Sequence, residues 1–207
     1  NTVFRVGSLS KGFAGVLTGI LAEEKVLDLN ERVQKHFPQF TLRDPKQAAR
    51  IRLWHLLSHT TGLPYHAFTN MIEAGHDIPT IVTKYFPKAP VSGKEGEFFS
   101  YQNAAFCAIE EVMRGATGKT YQELLSEKIF HPAGMNTASC DYTTICQNPN
   151  KALPNFWTGH GWRTDNISQR YYNSVAAGGV NASIADMGAW LKLLLGHQPG
   201  IVADTTL

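Results

Sequence analysis

Apolar residues that recur at helical spacing, against few runs that alternate at strand spacing, are what most constrain the fold of this chain. Phe13, Val16, Leu17, Ile20 and Leu21 repeat every three or four residues with no proline among them, which predicts a helix over 8–24 with Ser8 in its first turn. Phe106, Ile109, Val112 and Met113 predict a second over 104–117. Shorter patterns predict helices over 51–57, closed by Gly62 and Pro64, over 78–85, over 121–129, stopped before Pro132, and over 183–195. Ser183 and Asp186 make a capping pair for the last. Residues 64–98 read as loops around the 78–85 helix, and Pro90, Gly93 and Gly96 turn the chain toward residues 98–103. Residues 136–175 are polar and aromatic with little periodicity, so strand content is low for an enzyme built around a sheet.

With 207 residues, 43% hydrophobic and 17% charged, the chain can bury a substantial core. No repeat, linker or low-complexity block divides residues 1–207, so one domain, or a large piece of one, is expected. A net charge of +2 with dispersed basic residues argues against a nucleic-acid surface or a polybasic membrane patch; a small-molecule or peptide substrate fits better. No apolar run approaches the roughly 20 residues that span a bilayer, and no basic-then-apolar leader opens the sequence. Three cysteines cannot all pair within one chain. Cys107 falls on an apolar helical pattern and reads as core, whereas Cys140 and Cys146, six apart in a loop-like stretch, can form a disulfide in an oxidising compartment. No metal site or cofactor is expected, and oligomeric state is left open.

Ser8 and Lys11 stand three residues apart where the first helix begins, and such positions share a helix face. The lysine can therefore reach the serine oxygen, and the helix start favours negative charge developing there. The same residues also suit a plain helix start, with Ser8 as N-cap and Lys11 in solvent. Acyl transfer needs a nucleophile, a base and oxyanion donors. Tyr101 can act as base near neutrality only if flanking positive charge, for which Lys11 is the candidate, stabilises its phenolate. Asn103 can orient both Lys11 and a substrate amide. Tyr101-Gln102-Asn103 also suits an aromatic loop anchor followed by Asn103 as a helix N-cap.

Other patterns point elsewhere and are weaker. Gly118-Lys119-Thr120 lacks the upstream glycine of a phosphate-binding loop, since Met113 stands there. His55 and His59 have the spacing of two zinc ligands, but Leu56 replaces the glutamate and Gly62 ends the helix early, which favours packing or capping. His160, between two glycines, reads as an exposed loop residue. Trp157, Trp162, Tyr171 and Tyr172 either wall a substrate cleft or anchor a long loop, and the lack of periodicity favours the loop. Asn166 and Asn181 begin glycosylation sequons, meaningful only in a eukaryotic secretory protein.

Residues 4–12 resemble the nucleophile segment of class C β-lactamases and their esterase and carboxypeptidase relatives, whose first motif is Ser-x-x-Lys. Leu56-Leu57-Ser58-His59-Thr60-Thr61-Gly62-Leu63-Pro64 is similar to the stretch that follows it there, and Tyr101-Gln102-Asn103 to the family's Tyr-x-Asn motif. The likeness continues through residues 116–121 and 129–135 and ends at 176–183. The resemblance implies an α+β, β-lactamase/transpeptidase-like fold, of which this chain holds mostly the helical lobe, with much of the antiparallel sheet missing. It implies a serine hydrolase acting on a β-lactam, a D-amino-acid peptide or a small ester. Ser8 would be the acylated nucleophile, Lys11 its helper, Tyr101 the proton shuttle, Asn103 the substrate-amide ligand and the Ser8 N–H an oxyanion donor. It further implies the periplasm or cell envelope. The family's third motif, Lys-Thr-Gly or His-x-Gly, is absent after Tyr101, and Lys119-Thr120-Tyr121 lacks the glycine. Truncation at both ends is the expectation, with poor hydrolysis of a reporter ester by these residues alone, because one lost oxyanion donor costs about 100- to 1,000-fold. The alternative is a non-catalytic binding or regulatory relative that keeps the fold.

Overall fold

A computed structural model of the protein describes residues 1–203 and 206. Strand β1 (Val3–Arg5) runs into a 3-10 turn, Gly7–Leu9, and then helix α1 (Ser10–Glu23). The single helix expected over 8–24 is thus split, and Ser8 lies in the tighter turn before it. Gly7 makes this reversal at φ +55°, a conformation cheap only for glycine. Of the expected stripe on α1, Phe13, Leu17, Ile20 and Leu21 are buried and Val16 is partly so, and Phe13 stacks on Trp190 at 4.1 Å and meets Phe130 edge-on at 5.8 Å.

Helix α2 (Leu53–Leu57) packs on α3 (Asn103–Thr117), which is buried along most of its length. Gly118, left-handed at φ +74°, ends α3 and donates to the Arg114 carbonyl, while Thr120 and Glu123 cap the following helix. Those roles account for Gly118-Lys119-Thr120 without a phosphate. After an exposed antiparallel hairpin, β2 (Asn155–Trp157) and β3 (Trp162–Thr164), the chain forms a four-residue helical turn, α4 (Val175–Gly178). All four residues of α4 are buried, wedged between α1 and α3. Gly179 permits that fit: a Cβ there would stand 2.6 Å from the Tyr171 carbonyl oxygen. Strand β4 (Asn181–Ser183) then pairs antiparallel with β1, Val3 opposite Ser183 and Arg5 opposite Asn181, and leads into α5 (Ile184–Leu194) through the expected Ser183–Asp186 capping box. The two strand pairs are the only sheets among the described residues, so the chain is a helix-rich α+β structure with two small antiparallel sheets.

Several sequence expectations need correction. The 121–129 helix is regular only over Tyr121–Leu125 and widens to π-helical bonding over Ser126–Phe130; the 78–85 helix widens likewise over Ile81–Tyr85. A proline, Pro132 or Pro87, follows each widened turn, and its ring would clash with the carbonyl four residues back in a regular helix. The loops also contain helices at Thr69–Glu73 and at Tyr142–Gln147, the latter capped by Asp141. That capped helix occupies the stretch between Cys140 and Cys146, both of which are free thiols, as is Cys107. Asn181 is fully buried, its amide bonded to Ser139 and Tyr172, so its sequon has no accessible acceptor.

Candidate active site

The turn before α1 presents Ser8 at the surface, and Lys11, on the first turn of α1, points back toward it. Tyr101 closes the loop leading into α3, whose first residue is Asn103. The Tyr101 hydroxyl donates to Ser8 Oγ at 2.9 Å, and Lys11 Nζ stands 3.5 Å from the same oxygen. Lys11 also donates to Asn103 Oδ1 and to the Ala177 carbonyl of α4, each at 2.9 Å. Its ammonium lies 4.7 Å from the centre of the Tyr101 ring, within cation–π range. All four residues singled out in the sequence therefore meet at one point. Neither Ser8 nor Asn103 makes a capping bond, so the plain helix-start readings of both motifs do not hold.

Bonds to backbone groups of the neighbouring segments hold this geometry. His59 is left-handed at φ +59°, and its Nδ1 accepts the Gln102 N–H at 3.1 Å while its carbonyl accepts the Ser100 N–H at 2.8 Å. The Tyr101 carbonyl in turn accepts the His66 N–H at 2.9 Å, so two histidines clamp the strand-like segment that carries the phenol. The His59 ring lies 4.4 Å from that of Tyr101, and burial, aided by the Lys11 charge, lowers its pKa to about 4. His59 is thus a neutral packing group, and His55 caps α2 by accepting the Arg52 N–H, which fits the packing or capping reading of this pair. On the opposite side Ser10 Oγ accepts the Val180 N–H at 3.1 Å, tying the start of α1 to the end of the α4 segment.

Tyr171 corrects the loop-anchor reading. Its hydroxyl stands 3.3 Å from Asn103 Nδ2, fixing the amide with its oxygen toward Lys11, and its own backbone is left-handed at φ +69°. Burial raises its pKa, so the phenol stays neutral. The ring lies over Gly178, where a Cβ would come within 3.3 Å of it. Gly178-Gly179 was the one sequence signal of such a close approach. The other three aromatics keep away from Ser8: Trp157 and Trp162 pair on the exposed hairpin, while Tyr172 bonds Asn181 and lies under the Arg5 guanidinium. His160 is exposed in the hairpin turn, as expected.

Glu110, on α3, was not singled out. It is buried, with Cys107, Glu111 and Arg114 of its own helix and Tyr121 and Cys140 of adjacent segments as its titratable neighbours, and burial pushes its pKa up to about 8. Below its ordinary value of 4.5 the carboxyl is protonated folded or unfolded; above it only the unfolded chain releases the proton, until about 8. Its stabilising share is therefore lost as pH rises through that window. Glu110→Gln should gain thermal stability relative to the parent between about pH 5 and about pH 8, as melting curves across that range would reveal. A pH-independent difference would contradict the neutral assignment.

The protein-family model described as Beta-lactamase matches residues 1–207. Penicillin-binding protein 4* of Bacillus subtilis is 30% identical over 141 residues, which cover 66% of this chain and 30% of that protein. The D-alanyl-D-alanine-carboxypeptidase/endopeptidase AmpH of Escherichia coli is 25% identical over 202 residues, 94% of this chain and 49% of AmpH. The solved structure of the octameric penicillin-binding protein homologue from Pyrococcus abyssi superposes with a TM-score of 0.82 at 25% identity, over 99% of this chain and 47% of that one. The chain thus spans from under a third to about half the length of these relatives.

Proposed function

The chain belongs to the beta-lactamase family, and from that premise we propose that it is the nucleophile-bearing part of a serine hydrolase that opens an amide or ester bond through an acyl-Ser8 intermediate. The observation that carries this reading is the convergence of Tyr101 and Lys11 on Ser8 Oγ, at 2.9 and 3.5 Å. As Ser8 Oγ attacks the substrate carbonyl carbon, its proton passes to Tyr101, which acts here as the phenolate after its own hydroxyl proton has left to solvent, and the Lys11 ammonium offsets the negative charge of that phenolate. The carbonyl oxygen, now an oxyanion, takes the Ser8 N–H as one donor. When the tetrahedral intermediate collapses, the bond to the leaving nitrogen or oxygen breaks and Tyr101 returns the proton to it. Water, deprotonated by Tyr101, then attacks the acyl carbon; the acyl group leaves as the carboxylic acid, and the proton passes from Tyr101 to Ser8 Oγ, which regenerates the hydroxyl. Asn103 Nδ2 offers a donor to an amide carbonyl in the substrate.

β-Lactams, D-amino-acid peptides and small esters share this chemistry, and the names of the Bacillus and Escherichia relatives support the first two. The same resemblance supports a periplasmic or envelope location; no helix among the described residues is long and apolar enough to cross a membrane. The test is incubation of the full-length protein with a fluorescent penicillin or a fluorophosphonate, followed by peptide mapping. An adduct on Ser8 is expected, and an adduct elsewhere or none at all would overturn the reading. The alternative, a binding protein that retains the fold, is separated by the same labelling. Label that forms stoichiometrically and is never released, with no turnover of a reporter ester, would select it.

Tyr171→Phe tests how far the Asn103 amide depends on its partner. Loss of one neutral hydrogen bond should lower kcat/KM for a reporter ester about three- to tenfold. A loss a hundred times larger would put the Tyr171 hydroxyl in the proton path itself.

A further inference from the structure

Asn103, Cys107 and Glu110 follow one another at steps of four and three along α3 and so line one face of it. That face is turned toward α4 and Lys11, and each of the three makes a polar contact across it. Asn103 Oδ1 takes the Lys11 ammonium, Cys107 Sγ donates to the Ser174 carbonyl at 3.6 Å, and Glu110 Oε1 accepts the Ala176 N–H at 2.8 Å. Burying a carboxyl is costly unless its bonds are made. Here it satisfies an amide at the start of a helical turn, where no intrahelical acceptor exists. The next residue along, Ala177, supplies the carbonyl that Lys11 holds at 2.9 Å.

We propose that Glu110 is a positioning residue for the site: by holding the Ala176 N–H it sets the four-residue turn α4 so that the Ala177 carbonyl stays against Lys11. Lys11 is thereby registered to α3 twice, directly through Asn103 and indirectly through Glu110 and the turn. The effect on rate rests on the hydrolase reading of Lys11; the effect on Lys11 itself does not. At neutral pH burial keeps Glu110 protonated, so glutamine is its conservative replacement.

Competitive labelling of amines in the full-length protein with acetic anhydride, read by peptide mass spectrometry with exposed Lys25 as internal standard, tests this. In Glu110→Leu, Lys11 should become about tenfold more reactive relative to Lys25, the equivalent of one hydrogen bond to a charged group. Glu110→Gln, which keeps an acceptor oxygen in place, should restore the parent's ratio. An unchanged ratio in Glu110→Leu with a native circular dichroism spectrum, or an equal rise in Glu110→Gln, would overturn the proposal. If the leucine variant unfolds, Glu110→Asp, which withdraws the oxygen by one methylene, takes its place with the same two outcomes. Acylation of Ser8 by a fluorophosphonate is measured on the same samples. A parent protein that takes no probe overturns the hydrolase reading alone, because the Lys11 ratio is read without it.

Discussion

Ser8→Ala in the full-length protein is expected to abolish both covalent labelling and turnover. Removal of the nucleophile from an unrelated serine hydrolase lowers kcat by on the order of 10⁶, and a loss of that order is expected here. The fold should not notice: Ser8 is exposed, and among the described residues the only side-chain bonds it makes are those it accepts from Tyr101 and Lys11. Surface substitutions of this kind stay within about 0.5 kcal/mol, so a melting temperature near the parent's should accompany the loss. Persistent labelling would remove Ser8 from its role, whatever the surrounding geometry.

Lys11→Met is expected to cost about 1,000-fold in acylation rate, as for removal of a strong charge-stabilising donor. Methionine roughly fills the space of the lysine stem and removes the ammonium, which lies 4.7 Å from the Tyr101 ring centre and 5.5 Å from that of Phe106. Unlike Ser8→Ala, it should also lower stability, because Asn103 Oδ1 and the Ala177 carbonyl each lose a partner in a half-buried place. An unsatisfied group of this sort costs about 1–3 kcal/mol. Reporter-ester hydrolysis and thermal melts on the same preparation separate the two effects. Hydrolysis within tenfold of the parent would show that Tyr101 serves Ser8 without the lysine.

Those four side chains were legible because their motifs are short and local. Ser8 and Lys11 need only one turn of chain, and Tyr101 and Asn103 need only a loop that runs into a helix. The apolar stripes of α1 and α3 were legible for the same reason. What escaped the sequence is set by packing. The Ala177 carbonyl carries no side-chain signature, and the left-handed backbones of His59 and Tyr171 are conformations that only their surroundings stabilise. Glu110 sits between Ile109 and Glu111 on a helix whose outer face is charged, so nothing in its neighbours separates a buried carboxyl from a solvated one. The free thiols at Cys140 and Cys146 and the buried sequon at Asn181 show the same limit: spacing permits a bond or a modification that tertiary structure then withholds.

The pairing of β1 with β4 has a consequence for the order in which the molecule assembles. Val3 lies opposite Ser183, and Lys11 reaches a carbonyl 166 residues away. Closing a loop grows more costly only with the logarithm of its length, but contacts of such separation slow the search for them. On a ribosome that adds about 5–20 residues each second, the first strand waits on the order of ten seconds for its partner. Through that interval the serine turn has neither its strand pairing nor its lysine carbonyl. The corner around Ser8 is therefore a late product of folding, because Lys11 is made well before the Ala177 carbonyl that it holds.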